Sequence, residues 1–273
     1  MIHLRRLELV RSRDEFPFTL PVLADFTSLE FETPVTFFVG ENGSGKSTLL
    51  EILAANLRLP TLTQTSIDRH PLMASARDAA SAFRLVRNAP ATRGRRRTRA
   101  SGFFFRADDV TGYLQSVQQQ MQDHETIADE LAASIEGDWG RQRAVGMARG
   151  QQRALAERYG ENPFARSHGE LFLDLFRARI TAPGIYLLDE PEGPLSPGNQ
   201  IALVAVLLDA VERGCQFVVV THSPILLATP GARIIDVDQT PPAPTSWEDT
   251  DHVSLTRAFL ANPEAFLRHL REP

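Results

Sequence analysis

Residues 35–48 read Val35-Thr36-Phe37-Phe38-Val39-Gly40-Glu41-Asn42-Gly43-Ser44-Gly45-Lys46-Ser47-Thr48. The first five are all apolar or β-branched and stop at a glycine, the pattern of a short strand buried on both faces. Gly40–Thr48 then fits G-x-x-x-x-G-K-[ST], the phosphate loop. Its glycines let successive backbone N–H groups curl inward onto phosphate oxygens, where a side chain would block the approach. Ser47 to Arg58 reads as a helix, with Leu49, Leu50, Leu53 and Leu57 on one side and Pro60 just beyond. Its positive N-terminal end points at the same anion. The expected nucleotide-binding residues are therefore Asn42, Gly43, Ser44, Gly45, Lys46, Ser47 and Thr48. Lys46 is expected to neutralise β- and γ-phosphate charge of ATP, and the Ser47 hydroxyl to ligate Mg²⁺.

The cation inventory points to the same lysine. Of the 29 Lys and Arg residues, every one except Lys46 is Arg. With 34 Asp and Glu the net charge is -5, so attraction of the whole molecule to nucleic acid is not expected. The chain has 273 residues, 42% of them hydrophobic, which excludes a disordered, collagenous or disulfide-scaffold class. Its single thiol, Cys215, reads as buried and reduced. Apolar runs such as Ile201–Leu208 are far shorter than the roughly 20 residues of a membrane helix, and the expectation is a soluble, cytoplasmic protein.

A second nucleotide motif lies downstream. Ile185-Tyr186-Leu187-Leu188 is an apolar strand running into Asp189-Glu190-Pro191. Asp189 at the strand end is expected to hold Mg²⁺ with Ser47, and Glu190 to polarise the attacking water as general base. Ser196 and Pro197 are the N-cap and first position of a helix over Pro197–Arg213 that Gly214 stops. A strand at Phe217–Val220 leads into Thr221-His222-Ser223-Pro224, where another helix opens. Further upstream, the first forty residues read as strands, and Ala82–Arg87 and Gly102–Arg106 as two more. Between Val110 and Ile135 the apolar spacing is that of amphipathic helices, with another helix near Gln151–Tyr159. Repeated strand–loop–helix units predict an α/β fold with a mostly parallel sheet.

The order of Gly40–Thr48, Asp189-Glu190-Pro191, Leu195-Ser196-Pro197 and Val220-Thr221-His222-Ser223 resembles the ABC-type ATPases over about Ile2 to Val237. It looks most like their soluble branch, related to chromosome-maintenance and recombination-repair ATPases. The resemblance implies a P-loop NTPase fold with a β-rich N-terminal part and an inserted helical lobe. It also implies that Glu190 is the catalytic carboxylate, that His222 is a switch residue on the γ-phosphate, and that Leu195-Ser196-Pro197 is the D-loop. Ser167-His168-Gly169-Glu170, about twenty residues before Asp189, stands where the family carries its signature. Only Ser167 and Gly169 match, and Ser-x-x-Glu before an apolar run is also a capping box. In the family this segment completes the ATP site of the opposite protomer, which implies an ATP-dependent head-to-tail homodimer.

Two features depart from that pattern or lie outside it. Phe103-Phe104-Phe105-Arg106-Ala107-Asp108 occupies the place of the family's glutamine loop without a Gln; Arg106, Asp108 and Gln115 are the alternatives. Arg93, Arg95, Arg96, Arg97 and Arg99 form a run that either grips a phosphate backbone of DNA or is a solvated loop. The expected organisation is an ATPase domain over residues 1–240, with its helical lobe at about 108–180, and a tail over 241–273 containing a helix near Ser254–Arg271. The leading functional expectation is an ATP-driven clamp in DNA repair, chromosome maintenance or defence, with an unknown protein partner. The alternatives are the ATP-binding subunit of a membrane transporter, disfavoured by the altered signature and missing Gln, and a nucleotide-gated dimer switch with negligible turnover.

Overall fold

The computed structural model describes residues 1–61, 74–88, 101–107 and 168–268, together with scattered helical positions between 119 and 153. In chain order these residues form β1 (Leu4–Leu9), α1 (Pro21–Ala24), β2 (Ser28–Glu30), β3 (Val35–Val39), α2 (Lys46–Leu57), α3 (Ala74–Ala80), β4 (Phe83–Arg87) and β5 (Phe104–Arg106). The order continues with α4 (His168–Arg179), β6 (Ile185–Asp189), α5 (Pro197–Glu212), β7 (Gln216–Val220), α6 (Pro224–Leu227), β8 (Arg233–Asp236), β9 (Ala243–Thr245), α7 (Asp251–Ala261) and α8 (Pro263–Leu267).

The strands make two sheets. A three-stranded antiparallel sheet runs β2-β1-β4, and a six-stranded sheet runs β5-β6-β7-β3-β8-β9. The larger sheet is parallel except at β9, which pairs antiparallel with β8. The mostly parallel α/β P-loop fold expected from the sequence is thus the fold found.

Alternation along each central strand explains why these runs are continuously apolar. Phe38, Ile185, Leu187, Val218 and Val220 point into one core, shared with Leu49, Leu50 and Leu53 of α2 and with Leu4 and Leu7 of β1. Phe37, Val39, Tyr186, Leu188, Phe217 and Val219 point into the other, where Phe172 and Phe176 of α4 and Leu203 and Leu207 of α5 cover the sheet. A strand covered on both faces has no solvent side, so every residue of β3, β6 and β7 is buried. Cys215 is also buried, as its flanking sequence implied.

Two local expectations need correction. The stretch before β2 is not all strand, since Pro21 opens the single turn α1, the position where a proline's fixed φ suits a helix start. The tail is not one helix near Ser254–Arg271 but two, α7 and α8, separated at Asn262, which precedes Pro263 and leaves the helical region (φ -151, ψ 76), the region a following proline disfavours. Its side chain then accepts from the Ala265 N–H and caps α8. Residues 93–99 and most of the 108–167 segment lie outside the described residues.

Candidate functional site

Parallel strands deliver all their carboxyl ends to one edge, and ligands of such sheets sit in the crevice there. At that edge β3 ends just before Gly40, β5 at Arg106, β6 at Asp189 and β7 just before Thr221. The loop from Gly40 turns into α2 through Gly45, which has φ +103 and whose missing Cβ would lie 2.6 Å from Val22 Cγ1. That position combines a left-handed backbone with a close approach, and both conditions select glycine. The loop borders an open cleft of ≈ 240 Å³ lined by Asn42, Gly43, Gly45, Lys46, Ser47, Thr48 and Glu190 among others.

Lys46 is 5% exposed, and its ammonium donates to the carbonyls of Gly40 (2.8 Å) and Glu41 (2.6 Å). Burial pushes its pKa down, while Asp238, Glu190 and Asp189 pull it back up. The loop is itself propped, because Asp238 Oδ2 accepts from the Glu41 N–H at 2.6 Å. Ser47 Oγ donates to Asp189 Oδ1 at 3.0 Å, a contact between residues 142 positions apart. Asp189 is 5% exposed, and burial pushes its carboxyl up to about 6 against the opposing pull of Ser47 and Arg106.

This donor set suits Mg²⁺. A hydroxyl and a carboxylate oxygen side by side are hard ligands, and a buried carboxylate of raised pKa lacks the positive charge a divalent ion supplies. Among the described residues no group of three or more His, Cys, Asp or Glu is placed to cage a metal. Magnesium bound through one or two protein oxygens and substrate phosphates needs no such cage.

Glu190 follows on the next residue with φ +49, one of two non-glycine residues with positive φ among those described. A left-handed glutamate costs about 1–3 kcal/mol and persists where its surroundings hold it; here its N–H donates to Val220 O at 2.9 Å. Its side chain is half exposed at the rim of the cleft, and Glu190 Oε1 lies 3.6 Å from His222 Nε2. The His222 backbone N–H donates to Glu192 Oε1 at 2.7 Å, and Ser223 caps α6 through the N–H groups of Ile225 and Leu226. Burial raises the Glu192 pKa, and burial together with Lys46 lowers that of His222.

The predicted residues Lys46, Ser47, Asp189, Glu190 and His222 thus meet at one edge. Ser167 lies outside the described residues, as do Arg93, Arg95, Arg96, Arg97 and Arg99. Gly169 is buried in the first turn of α4, where a Cβ would lie 2.3 Å from Asn199 Nδ2 and 3.3 Å from Pro194 O. Ser196 caps α5 by accepting from the Asn199 N–H.

Several residues of the site went unassigned in the sequence. Arg106 stands in parallel register opposite Asp189, forms an ion pair with Glu51 of α2, and places Nε 3.6 Å from Asp189 Oδ2. An arginine therefore occupies the strand end where the family pattern led us to look for a glutamine; Asp108 and Gln115 are outside the described residues. Glu192, Asp238 and His252 carried no local signal, since each acts on a partner 30 or more positions away.

The profile of the ABC transporter family matches residues 28–193, and that of an AAA domain matches residues 170–228. The lipoprotein-releasing system ATP-binding protein LolD of Bordetella pertussis is 30% identical over 219 residues, covering 79% of this chain and 84% of that protein. The aliphatic sulfonates import ATP-binding protein SsuB of Escherichia coli is 27% identical over 188 residues, covering 67% of this chain and 58% of that one. A crystal structure of an ATP-binding cassette of an ABC transporter in its ADP conformation aligns over 100% of both chains, with 17% identity and a TM-score of 0.46.

Proposed function

The chain belongs to the ABC transporter family of ATPases, and from that premise we propose that it binds and hydrolyses MgATP at the Lys46–Asp189 edge as the ATP-binding subunit of a transporter. The observation that carries the site is the Ser47–Asp189 contact, because it brings the two nucleotide motifs together across the sheet. Bound there, Mg²⁺ would be held by Ser47 and Asp189 and would neutralise charge on the β- and γ-phosphates. The backbone N–H groups from Asn42 to Thr48 cradle the phosphates, and Lys46 exchanges its contacts to Gly40 O and Glu41 O for phosphate oxygens. Glu190 accepts the proton of the water that attacks the γ-phosphorus. His222 orients the γ-phosphate beside it.

The transporter role rests on LolD and SsuB, whose names are those of ATP-binding subunits for release and import. That likeness outweighs the altered signature and the missing glutamine, and the expectation of DNA repair, chromosome maintenance or defence finds no support in it. Among the described residues no helix is long and apolar enough to cross a membrane. By likeness to those relatives, this subunit works with a membrane component, on its cytoplasmic face. Two copies close head to tail around ATP.

The test is a Glu190→Gln variant with membrane fractionation of native cells. Wild type is expected to release phosphate from MgATP; the variant should bind ATP, lose turnover and accumulate as a dimer on gel filtration. A variant with wild-type turnover overturns the assignment of Glu190, and one that stays monomeric with saturating MgATP overturns the dimer. Recovery of the native protein wholly in the soluble fraction, with no membrane protein co-purifying, overturns the transporter role.

A further inference from the structure

The switch histidine does not stand alone. His222 Nδ1 lies 3.0 Å from His252 Nε2, with the two rings 4.7 Å apart and edge to face at 76°. His252 sits in the first turn of α7, outside residues 28–193 and 170–228 where the family profiles match. The tail that carries it is latched to the segment just after His222. Trp247 Nε1 donates to Pro224 O at 2.9 Å, and Thr250 Oγ1 donates to Trp247 O at 2.8 Å. Thr250 and Val253 are buried on either side of His252, and the Arg257 guanidinium lies over the Trp247 ring.

The chemistry of the pair selects one arrangement of protons. A single hydrogen joins the two nitrogens, so either His222 donates from Nδ1 or His252 donates from Nε2. In the first case a bare His222 Nε2 lone pair would face Glu190 Oε1 at 3.6 Å, and two electron-rich atoms would repel. In the second, His222 carries its hydrogen on Nε2 and presents a donor toward the carboxylate. His222 Nε2 is buried and makes no hydrogen bond to any described residue, so its hydrogen remains for an acceptor brought into the cleft. A ring held by the hydrogen bond at its other nitrogen keeps both its tautomer and its direction.

We propose that His252 is a positioning residue that fixes His222 in its Nε2–H tautomer and aims that N–H at the γ-phosphate oxygen, making the helix α7 a working part of the ATP site. The inference rests on the reading of His222 as the residue that orients the γ-phosphate. It goes beyond that reading by assigning the control of its tautomer to a residue of the tail. Its effect passes through the imidazole it holds.

Steady-state ATPase kinetics on the full chain test this with five variants, Glu190→Gln among them, and one spectroscopic measurement. His252→Phe keeps a ring of similar size but cannot donate; it is expected to lower kcat by about 10-fold to 100-fold, the usual loss when a histidine's orienting partner is removed, with KM for ATP little changed. His252→Gln, which can still donate an N–H, should recover most of the loss. His222→Ala should be impaired, and adding His252→Phe to it should cost nothing more. With ¹⁵N-labelled histidine, the His222 ring nitrogens should report the Nε2–H tautomer in wild type and a tautomer mixture in His252→Phe. Wild-type kcat in His252→Phe beside an impaired His222→Ala overturns the proposal and leaves the catalytic reading intact. Wild-type turnover in both Glu190→Gln and His222→Ala overturns the catalytic reading and the proposal with it. Equal loss in His252→Phe and His252→Gln, with the His222 tautomer unchanged, overturns the role assigned to the hydrogen bond.

Discussion

Replacing Asp189 by Asn should stabilise this protein while disabling it. Asp189 is 5% exposed, and without a metal its carboxyl is pushed up to about 6 by burial, beyond what Ser47 and Arg106 offset. The ordinary carboxylate value is about 3.9, and each tenfold change in proton affinity is worth 1.36 kcal/mol, so the charged form costs the fold about 3 kcal/mol. The sign follows from the native state binding the proton more tightly than the unfolded chain. Below about pH 3 the acid is protonated in both states and costs nothing; the cost grows as pH rises from about 3 to 6 and is nearly constant above that. About half of it is present at pH 5. Asn keeps an acceptor for the Ser47 hydroxyl and removes the charge. Urea denaturation in EDTA without nucleotide should therefore find Asp189→Asn more stable than wild type by about 2–4 kcal/mol at pH 7.5, by about half as much at pH 5, and by only about 0.5 kcal/mol at pH 4. With saturating MgATP the order should reverse, because wild type alone has the carboxylate for the ion. A variant no more stable than wild type at pH 7.5, or a difference that does not shrink with acid, refutes the view of Asp189 as a destabilised acid waiting for a cation.

Three further outcomes are expected. An acyl-phosphate derivative of ATP, which acylates lysines near bound nucleotide, should label Lys46, the only lysine of the chain, and excess ATP should block the reaction; peptide mass spectrometry reads both. Gly45→Ala should cost about 1–2 kcal/mol for the left-handed backbone and a further 1–3 kcal/mol for the overlap with Val22, and should weaken ATP binding measured by calorimetry. Glu192→Ala strands the His222 N–H and should cost about 1–3 kcal/mol in urea denaturation and lower turnover. Glu192→Gln keeps the acceptor and removes a charge that burial disfavours, so it should be no less stable than wild type and keep its turnover.

What could be read in the sequence was whatever depends on near neighbours. The phosphate loop is contiguous, its glycines are demanded by its own backbone, and the buried strands around it announce themselves as unbroken apolar runs. The acid pair 189–190 follows one such run directly, and Ser196 and Ser223 each cap the helix that starts beside them. Even the break in the tail was there to be seen, because Asn262 before Pro263 marks a helix boundary that apolar spacing alone passes over. The tertiary structure decided everything that depends on strand order and register. Inserting β7 between β3 and β6, and setting Arg106 level with Asp189, are matters of pairing between segments far apart in the chain. The same holds for Ser47 meeting Asp189, Glu192 anchoring the His222 backbone, and His252 returning from the tail to the imidazole. Each is a contact made by a single side chain with a residue far away in the chain, and local spacing carries no term for it.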